Sequence, residues 1–242
     1  NSEFKNLDWI SGYNDPSYMP DLNYAVVGME SAAIMGYARV GEYLAIIKQD
    51  DGHDSTIFFR SASTDEDGNA VFPLKQAVAG VGAIAADTIS QTTDEPLFLS
   101  RTGIFGLTTN VITNERICQN RSYYVNGKLT QEKNLQNAHG IFWNGMYLLS
   151  INENVYVLDA KQNKTYRSES MSDYVYECYY WENVPAECWL NAPEGAEEAL
   201  YFGTADGRLC RMNTDVDTLD KYSDDGAAIT AVWSTKADDD GD

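Results

Sequence analysis

The chain is short of the residues on which most hydrolytic chemistry is built. Its 242 residues include two histidines, His53 and His139, and four cysteines. A nucleophilic triad needs a histidine-like base beside a serine or cysteine. His53 falls in the acidic turn Asp51-Gly52-His53-Asp54 and His139 just ahead of a strand-like run, so both read as structural or solvated. No Gly-x-Ser-x-Gly elbow surrounds a serine, and no glycine-rich phosphate loop occurs. Cys118, Cys178, Cys188 and Cys210 match neither a zinc spacing nor a disulfide framework. They read as small, buried strand residues in a reducing compartment.

Positive charge is scarce too. There are 37 acidic residues against 17 basic ones, a formal net charge of -20. A field of that sign repels phosphate backbones and anionic lipid heads, which argues against nucleic acid or a membrane surface as partner. No apolar run approaches the ~20 residues needed to span a bilayer. Asn1 to Asn6 hold no signal-like apolar core and read as the edge of a piece cut from a longer protein. Residues 1–23 read as an irregular lead-in, and residues 237–242 as an acidic tail.

What the chain does have is apolar residues, 43% of the total, enough to bury a core in one domain spanning residues 1–242. Helical periodicity is nearly absent. Short β-branched and aromatic runs alternate instead with Gly, Asn and Asp clusters, the pattern of strands and tight turns. Tyr43–Lys48, the turn Asp50-Asp51-Gly52 and Ser55–Arg60 form one such hairpin, and Asp65–Asn69 turns the chain into Ala70–Leu74. A second unit begins at Gly82–Ala85 and continues with Pro96–Ser100 and Gly103–Leu107. A third holds Gly140–Trp143, Met146–Ser150 and Val155–Asp159; a fourth holds Tyr176–Trp181, Ala199–Gly203 and Arg208–Met212. A fifth starts at Ile229–Ser234.

LFLSRTGIFGL, YLLSINENVYVLD and LYFGTADGRLCRM share one layout: a strand ending in a small residue, a polar turn, a second strand. The units recur at roughly 40 to 50 residues, the length of a four-stranded propeller blade. The fold expected is therefore all-β, a β-propeller of about five four-stranded blades. One twisted sheet cannot cover both its faces, but its neighbours in a ring can. Tyr24–Gly28 is a candidate for the strand that closes the ring, and Gln131–Asn137 reads as a polar insertion.

Candidate chemistry is thin. Ser63–Gly68 approaches an Asp-box turn but is off by one residue. Arg60, Arg101, Arg121 and Arg208 are the arginines to watch for convergence on an anion, as in propeller glycosidases. Asp65-x-Asp67-Gly68-Asn69 has the alternating carboxylates of a calcium loop, but its glycine comes too early and no closing glutamate follows. Ser223–Gly226 is similar. Tyr174, Tyr176, Tyr179, Tyr180 and Trp181, with Trp189 and Tyr201, offer either packing between sheets or a sugar-stacking or protein-contact surface. Alternation places Tyr174, Tyr176 and Cys178 on one strand face. No catalytic, cofactor-binding or metal-binding residue is assigned.

SGYNDPSYMPDLNYAVVG (Ser11 to Gly28), EYLAIIKQD (Glu42 to Asp50), GVGAIA (Gly80 to Ala85), LFLSRTGIFGL (Leu97 to Leu107) and RSYYVNGKL (Arg121 to Leu129) together carry a resemblance. With LYFGTADGRLCRM and AAITAVWSTK, they resemble propeller-containing structural proteins of tailed bacteriophages and Gram-positive prophages. The resemblance covers most of the chain, although no single motif is specific. It implies a non-catalytic virion or tail domain with no cofactor, acting through protein contacts with other tail proteins or with copies of itself. It implies a location in the virion, or in the bacterial cytoplasm during assembly. The alternative is a carbohydrate-binding or general scaffold propeller, perhaps facing a host-surface glycan. A glycoside hydrolase ranks third.

Overall fold

The computed structural model describes residues 4–12, 14–52, 55–109, 116–162, 164–169, 171–213, 223–224 and 226–232. Its elements are almost all strands, and the one α-helix among the described residues is four residues long. β1 (Leu7–Trp9) and β2 (Tyr24–Val26) pair as an antiparallel N-terminal layer. The residues between them, read as irregular, hold short turns and an isolated bridge between Gly12 and Asp15.

Three four-stranded antiparallel sheets follow. The first runs β3 (Ile34–Val40), β4 (Tyr43–Lys48), β5 (Thr56–Arg60) and β8 (Leu74–Ala79), with the small hairpin β6 (Ser63–Thr64) and β7 (Ala70–Val71) inserted before its last strand. The second is β9 (Ser90–Gln91), β10 (Pro96–Ser100), β11 (Gly103–Thr109) and β12 (Arg116–Asn120). The third is β13 (His139–Trp143), β14 (Met146–Ile151), β15 (Asn154–Asp159) and β18 (Glu177–Glu182), with β16 (Thr165–Tyr166) and β17 (Tyr174–Val175) as an inserted hairpin. A fourth sheet has three described strands, β19 (Cys188–Glu194), β20 (Glu197–Gly203) and β21 (Leu209–Arg211). The pair β22 (Ser223–Asp224) and β23 (Ala227–Ala228) comes last.

Side-chain alternation decides how the sheets stack. Ala45, Ile47, Ile57 and Phe59 leave the first sheet on one side and meet Phe98 and Leu107 of the second. Leu97, Leu99 and Ile104 leave the second on its other side and meet Tyr147, Leu149, Tyr156 and Leu158 of the third. Leu148, Val155 and Val157 then point the opposite way, toward Leu200 and Trp189 of the fourth. Both faces of the two middle sheets are thus covered, which is why Pro96–Ser100 is buried at every position and Pro96–Leu99 reads as an unbroken apolar run. Each fully buried Leu or Ile contributes about 1.5–3 kcal/mol through removal from water.

The connector Gly82–Ala85, expected to start the second unit, carries no strand of its own. It bridges two sheets: Ala83 N donates to Lys48 O at 2.9 Å, and Ile84 N to Leu99 O at 2.8 Å. A Cβ on Gly82 would stand 2.5 Å from the Lys48 carbonyl oxygen, so only glycine permits this approach. Tyr176–Trp181, expected to open the fourth unit, instead closes the third. β18 pairs with β15 along Asn154–Asp159, because the inserted hairpin delays the sheet's last strand in sequence. Tyr24–Val26 pairs with Leu7–Trp9 and not with the start of a fifth unit. Residues 229–232 of that expected unit form no strand, and Trp233 and Ser234 lie outside the described residues, as does the acidic tail. The Gln131–Asn137 insertion holds a 3-10 turn at Leu135–Asn137, just after the helix α1 (Asn126–Leu129).

Candidate functional site

The most concentrated constellation of chemistry-bearing groups lies between the second and third sheets. Glu95 sits in a turn closed by Thr92, whose hydroxyl donates to Glu95 O at 2.6 Å and accepts from Glu95 N. Arg121 follows β12 and is anchored by its own N donating to Ile104 O. Its guanidinium meets the Glu95 carboxylate bidentately, Nε to Oε1 at 2.7 Å and Nη2 to Oε2 at 2.9 Å. Nη1 donates to Gln119 Oε1, Ser172 O and Tyr174 O. The phenols of Tyr174 and Tyr176 donate to Glu95 Oε1 at 2.8 and 3.3 Å, and the guanidinium carbon lies 3.7 Å from the Tyr174 ring centroid.

Burial alone pulls the Arg121 guanidinium toward deprotonation, but the hydrogen bonds and charge of Glu95 prevail and hold its pKa above the usual value. Burial, then the Glu95 charge, pushes the Tyr174 and Tyr176 phenols upward, so both stay protonated donors. A carboxylate, an arginine and two tyrosines at this spacing would suit glycosidic chemistry in an open cleft. Here Arg121 is 0% and Glu95 2% exposed, so no substrate reaches them. The cluster locks two sheets and the β16–β17 hairpin together. Gly106 is part of the lock, since a Cβ there would lie 2.4 Å from the Glu95 carboxyl carbon.

The four arginines watched for convergence do not converge. Each faces a different carboxylate: Arg60 meets Asp8, Arg101 meets Asp50 at 3.3 Å, Arg121 meets Glu95, and Arg208 meets Asp206 at 2.9 Å. Asp50 gathers five donors, from the N–H groups of Gly52 and Arg101, the hydroxyls of Ser55 and Ser100, and Arg101 Nε. Burial tends to raise its pKa, but these hydrogen bonds outweigh burial and hold it low. It ties the first sheet to the second at their edge.

The suspected calcium loop is a hairpin turn. Asp65 Oδ1 accepts from Asp67 N at 3.0 Å and Asn69 N at 2.7 Å, and Oδ2 from the Asn69 side chain, so the carboxylate is spent on closing β6 to β7. In Ser223–Gly226, Asp225 lies outside the described residues, as does His53. His139 Nδ1 stands 3.7 Å from Asp87. All four cysteines are free and lie in strands. Burial pushes the Cys118 and Cys178 thiols up to about 12, whereas Cys188 is exposed. Among the described residues no group of three or more His, Cys, Asp or Glu side chains is arranged to hold a metal.

The aromatics divide. Tyr174, Tyr176 and Cys178 share a face toward the second sheet, as alternation requires, and the two tyrosines are buried. Trp189 is half-buried and donates Nε1 to Ser150 Oγ at 2.9 Å, joining the fourth sheet to the third. Tyr179 remains exposed. Outside the expected cluster, Tyr18, Tyr24, Tyr37, Tyr123, Tyr124 and Tyr166 are also exposed. RSYY precedes a short helix, and the adjacent aromatic pair was the available sign of Tyr123 and Tyr124.

Two open depressions, of about 340 and 350 Å³, mark the surface. In the first, Arg39 Nε already donates to Gly41 O and Asp94 pairs with Lys164. The second is lined by two carboxylates, Glu153 and Asp206. The Thr204 hydroxyl and then Arg208 hold the Asp206 carboxyl below its usual pKa, which suits a fixed anion and not a proton donor. No helix among the described residues is long and apolar enough to cross a membrane. No family model and no curated protein matches the chain, so the likeness to phage structural proteins rests on the quoted motifs alone.

Proposed function

We propose that the chain is a non-catalytic β-propeller module of a phage or prophage tail, working through contacts with tail proteins or with its own copies. The observation that carries the propeller reading is the placement of first strands. β3 lies beside β9, β9 beside β13, and β13 beside β19, as strands around a common axis would. Small residues occur where these strands crowd. A Cβ on Gly36 would be 2.7 Å from Ile89, just before β9, and one on Gly140 3.1 Å from the Cα of Thr88 in the same segment.

Assembly is supported by the two ends of the stack. Each inner sheet covers its neighbours, but the N-terminal layer presents Trp9, Tyr24 and Val26 outward, and the fourth sheet presents Leu190 and Leu209, the last 71% exposed. Apolar faces of this kind mark contacts with another protein. Sedimentation velocity across a concentration series tests this. Association that Trp9→Ser or Leu190→Ser abolishes is expected; a monomer at every concentration, with both variants identical to it, overturns the assembly role. A carbohydrate-binding propeller is the second reading, favoured by the exposed tyrosines 123, 124 and 166. A glycoside hydrolase has the weakest support, because the cluster with the right residue types is sealed from solvent.

A further inference from the structure

We infer that Tyr123, Tyr124, Tyr166 and Arg167 form a binding ledge for an acidic oligosaccharide whose sugar faces stack on the tyrosines and whose carboxylate meets the arginine. This site is separate from the end faces used by the assembly reading, so either stands if the other fails.

The three tyrosines are 55%, 52% and 53% exposed, high values for rings of this size. They are nonetheless held in place. Tyr123 and Tyr124 touch edge to face with centroids 5.6 Å apart, and the Arg167 guanidinium lies 4.4 Å from the Tyr123 centroid. Both halves of the ledge are mounted on the buried ion pair. Tyr123 lies two residues beyond Arg121, and Tyr166 is the β16 partner of Tyr174, its ring 6.1 Å away. Arg121 donates to Tyr174 O at 2.7 Å and so joins the two halves. A ledge fixed in advance loses little freedom when a ligand settles on it.

Charge supplies the second observation. Residues 161–167 bring Lys161, Lys164 and Arg167 to this surface in a chain with 37 acidic residues to 17 basic, with Glu169 and Asp173 following in the same hairpin. Arg121 is taken by Glu95, Lys128 by Glu182 and Lys164 by Asp94. Among the described residues no carboxylate lies within ion-pair distance of Arg167, which leaves its guanidinium to receive one. A guanidinium binds a carboxylate through a two-pronged fork, and a tyrosine offers an apolar face with a polar tip. A sugar acid, apolar on its C–H face and anionic at its rim, matches both. Nucleic acid would use the same side chains, but its dense phosphates meet the repulsion of a chain carrying -20. A sugar acid polymer carries sparser charge.

Isothermal titration with hyaluronan octasaccharide, maltoheptaose and oligothymidylate decides the matter. Hyaluronan binding that weakens at least about tenfold in Tyr123→Ala and in Arg167→Ala, and that fades with added salt, is expected. Tyr18→Ala, at an exposed tyrosine of the N-terminal segment, should leave it unchanged. All altered side chains are exposed, so thermal melts matching the parent chain are expected of every variant. No hyaluronan binding overturns the proposal. So does maltoheptaose binding as tightly with no response to Arg167→Ala, or tighter binding of oligothymidylate, which would make the ledge a nucleic-acid surface.

Discussion

The joint between the first and second sheets and the joint between the second and third solve the same problem with different chemistry. In the first, Ile47, Ile57 and Phe59 pack on Phe98 and Leu107, and the Asp50 carboxylate sits at the edge, 8% exposed and satisfied mostly by N–H groups and hydroxyls. In the second, apolar packing of Leu97, Leu99, Tyr147 and Tyr156 surrounds a carboxylate and a guanidinium that are both out of water. An edge anion held by four neutral donors and a half-exposed arginine can lose one of them and recover with water. A buried ion pair cannot lose a partner, because the survivor is left charged in a medium that does not solvate it. The second joint also has an extra task. It holds the β16–β17 hairpin, through the carbonyls of Ser172 and Tyr174, and a smooth apolar surface would not fix that hairpin's position.

The sharpest way to break this contrast is Arg121→Ala, which leaves Glu95 buried without its counter-charge. A loss of about 3–5 kcal/mol is expected in urea unfolding. Glu95→Leu combined with Arg121→Met should recover part of it, since no charge then remains buried, although Tyr174 and Tyr176 lose their acceptor. A double variant no better than Arg121→Ala would show that the damage lies in lost packing. At the first joint, Asp50→Asn keeps the shape but turns one acceptor oxygen into a donor facing donors. About 1–3 kcal/mol is expected, read in the same way.

Acid should separate the two joints as well. Asp50 has a lowered folded pKa, so its contribution is fully present above its unfolded value and is lost as pH falls through the folded one. Melting temperature should therefore decline below about pH 4, and less steeply in Asp50→Asn. A parent and variant with parallel acid profiles would remove Asp50 from the account.

The smallest effect concerns the contact between the N-terminal layer and the first sheet. Lys48 is 1% exposed and donates to Val27 O at 2.7 Å and Met29 O at 3.1 Å. Burial, and then Lys5, push its pKa down to about 8 from 10.5. Between those values the unfolded chain binds the proton that the folded chain has released, so stability should rise with pH across that window. Lys48→Met should flatten the rise. A rise that survives the substitution would assign it to another group.

Much of the stack was readable in the residues. Pro96–Ser100, Gly103–Leu107, Met146–Ser150 and Val155–Asp159 became strands where expected, because strands covered on both faces need apolar side chains at nearly every position. The fourth unit was misjudged at its start. Tyr176–Trp181 has the composition of any strand, and nothing local says that it returns past a hairpin to pair with β15. The Glu95–Arg121 lock was equally hidden. Its members stand 26 positions apart in TDEPLF and QNRSYY, segments that look like polar turns, and although Arg121 was one of the arginines to watch for an anion, nothing local pointed to Glu95.

By itself the sequence determined the all-β class of fold and most of the hairpins. Those follow from alternation and turn residues, which are properties of neighbours along the chain. Only the tertiary structure decided which strand closes each sheet, which carboxylate each arginine meets and which tyrosines face water. Those outcomes depend on groups distant in sequence competing for the same partners and for the same dry space, and that competition is settled only when the sheets stack.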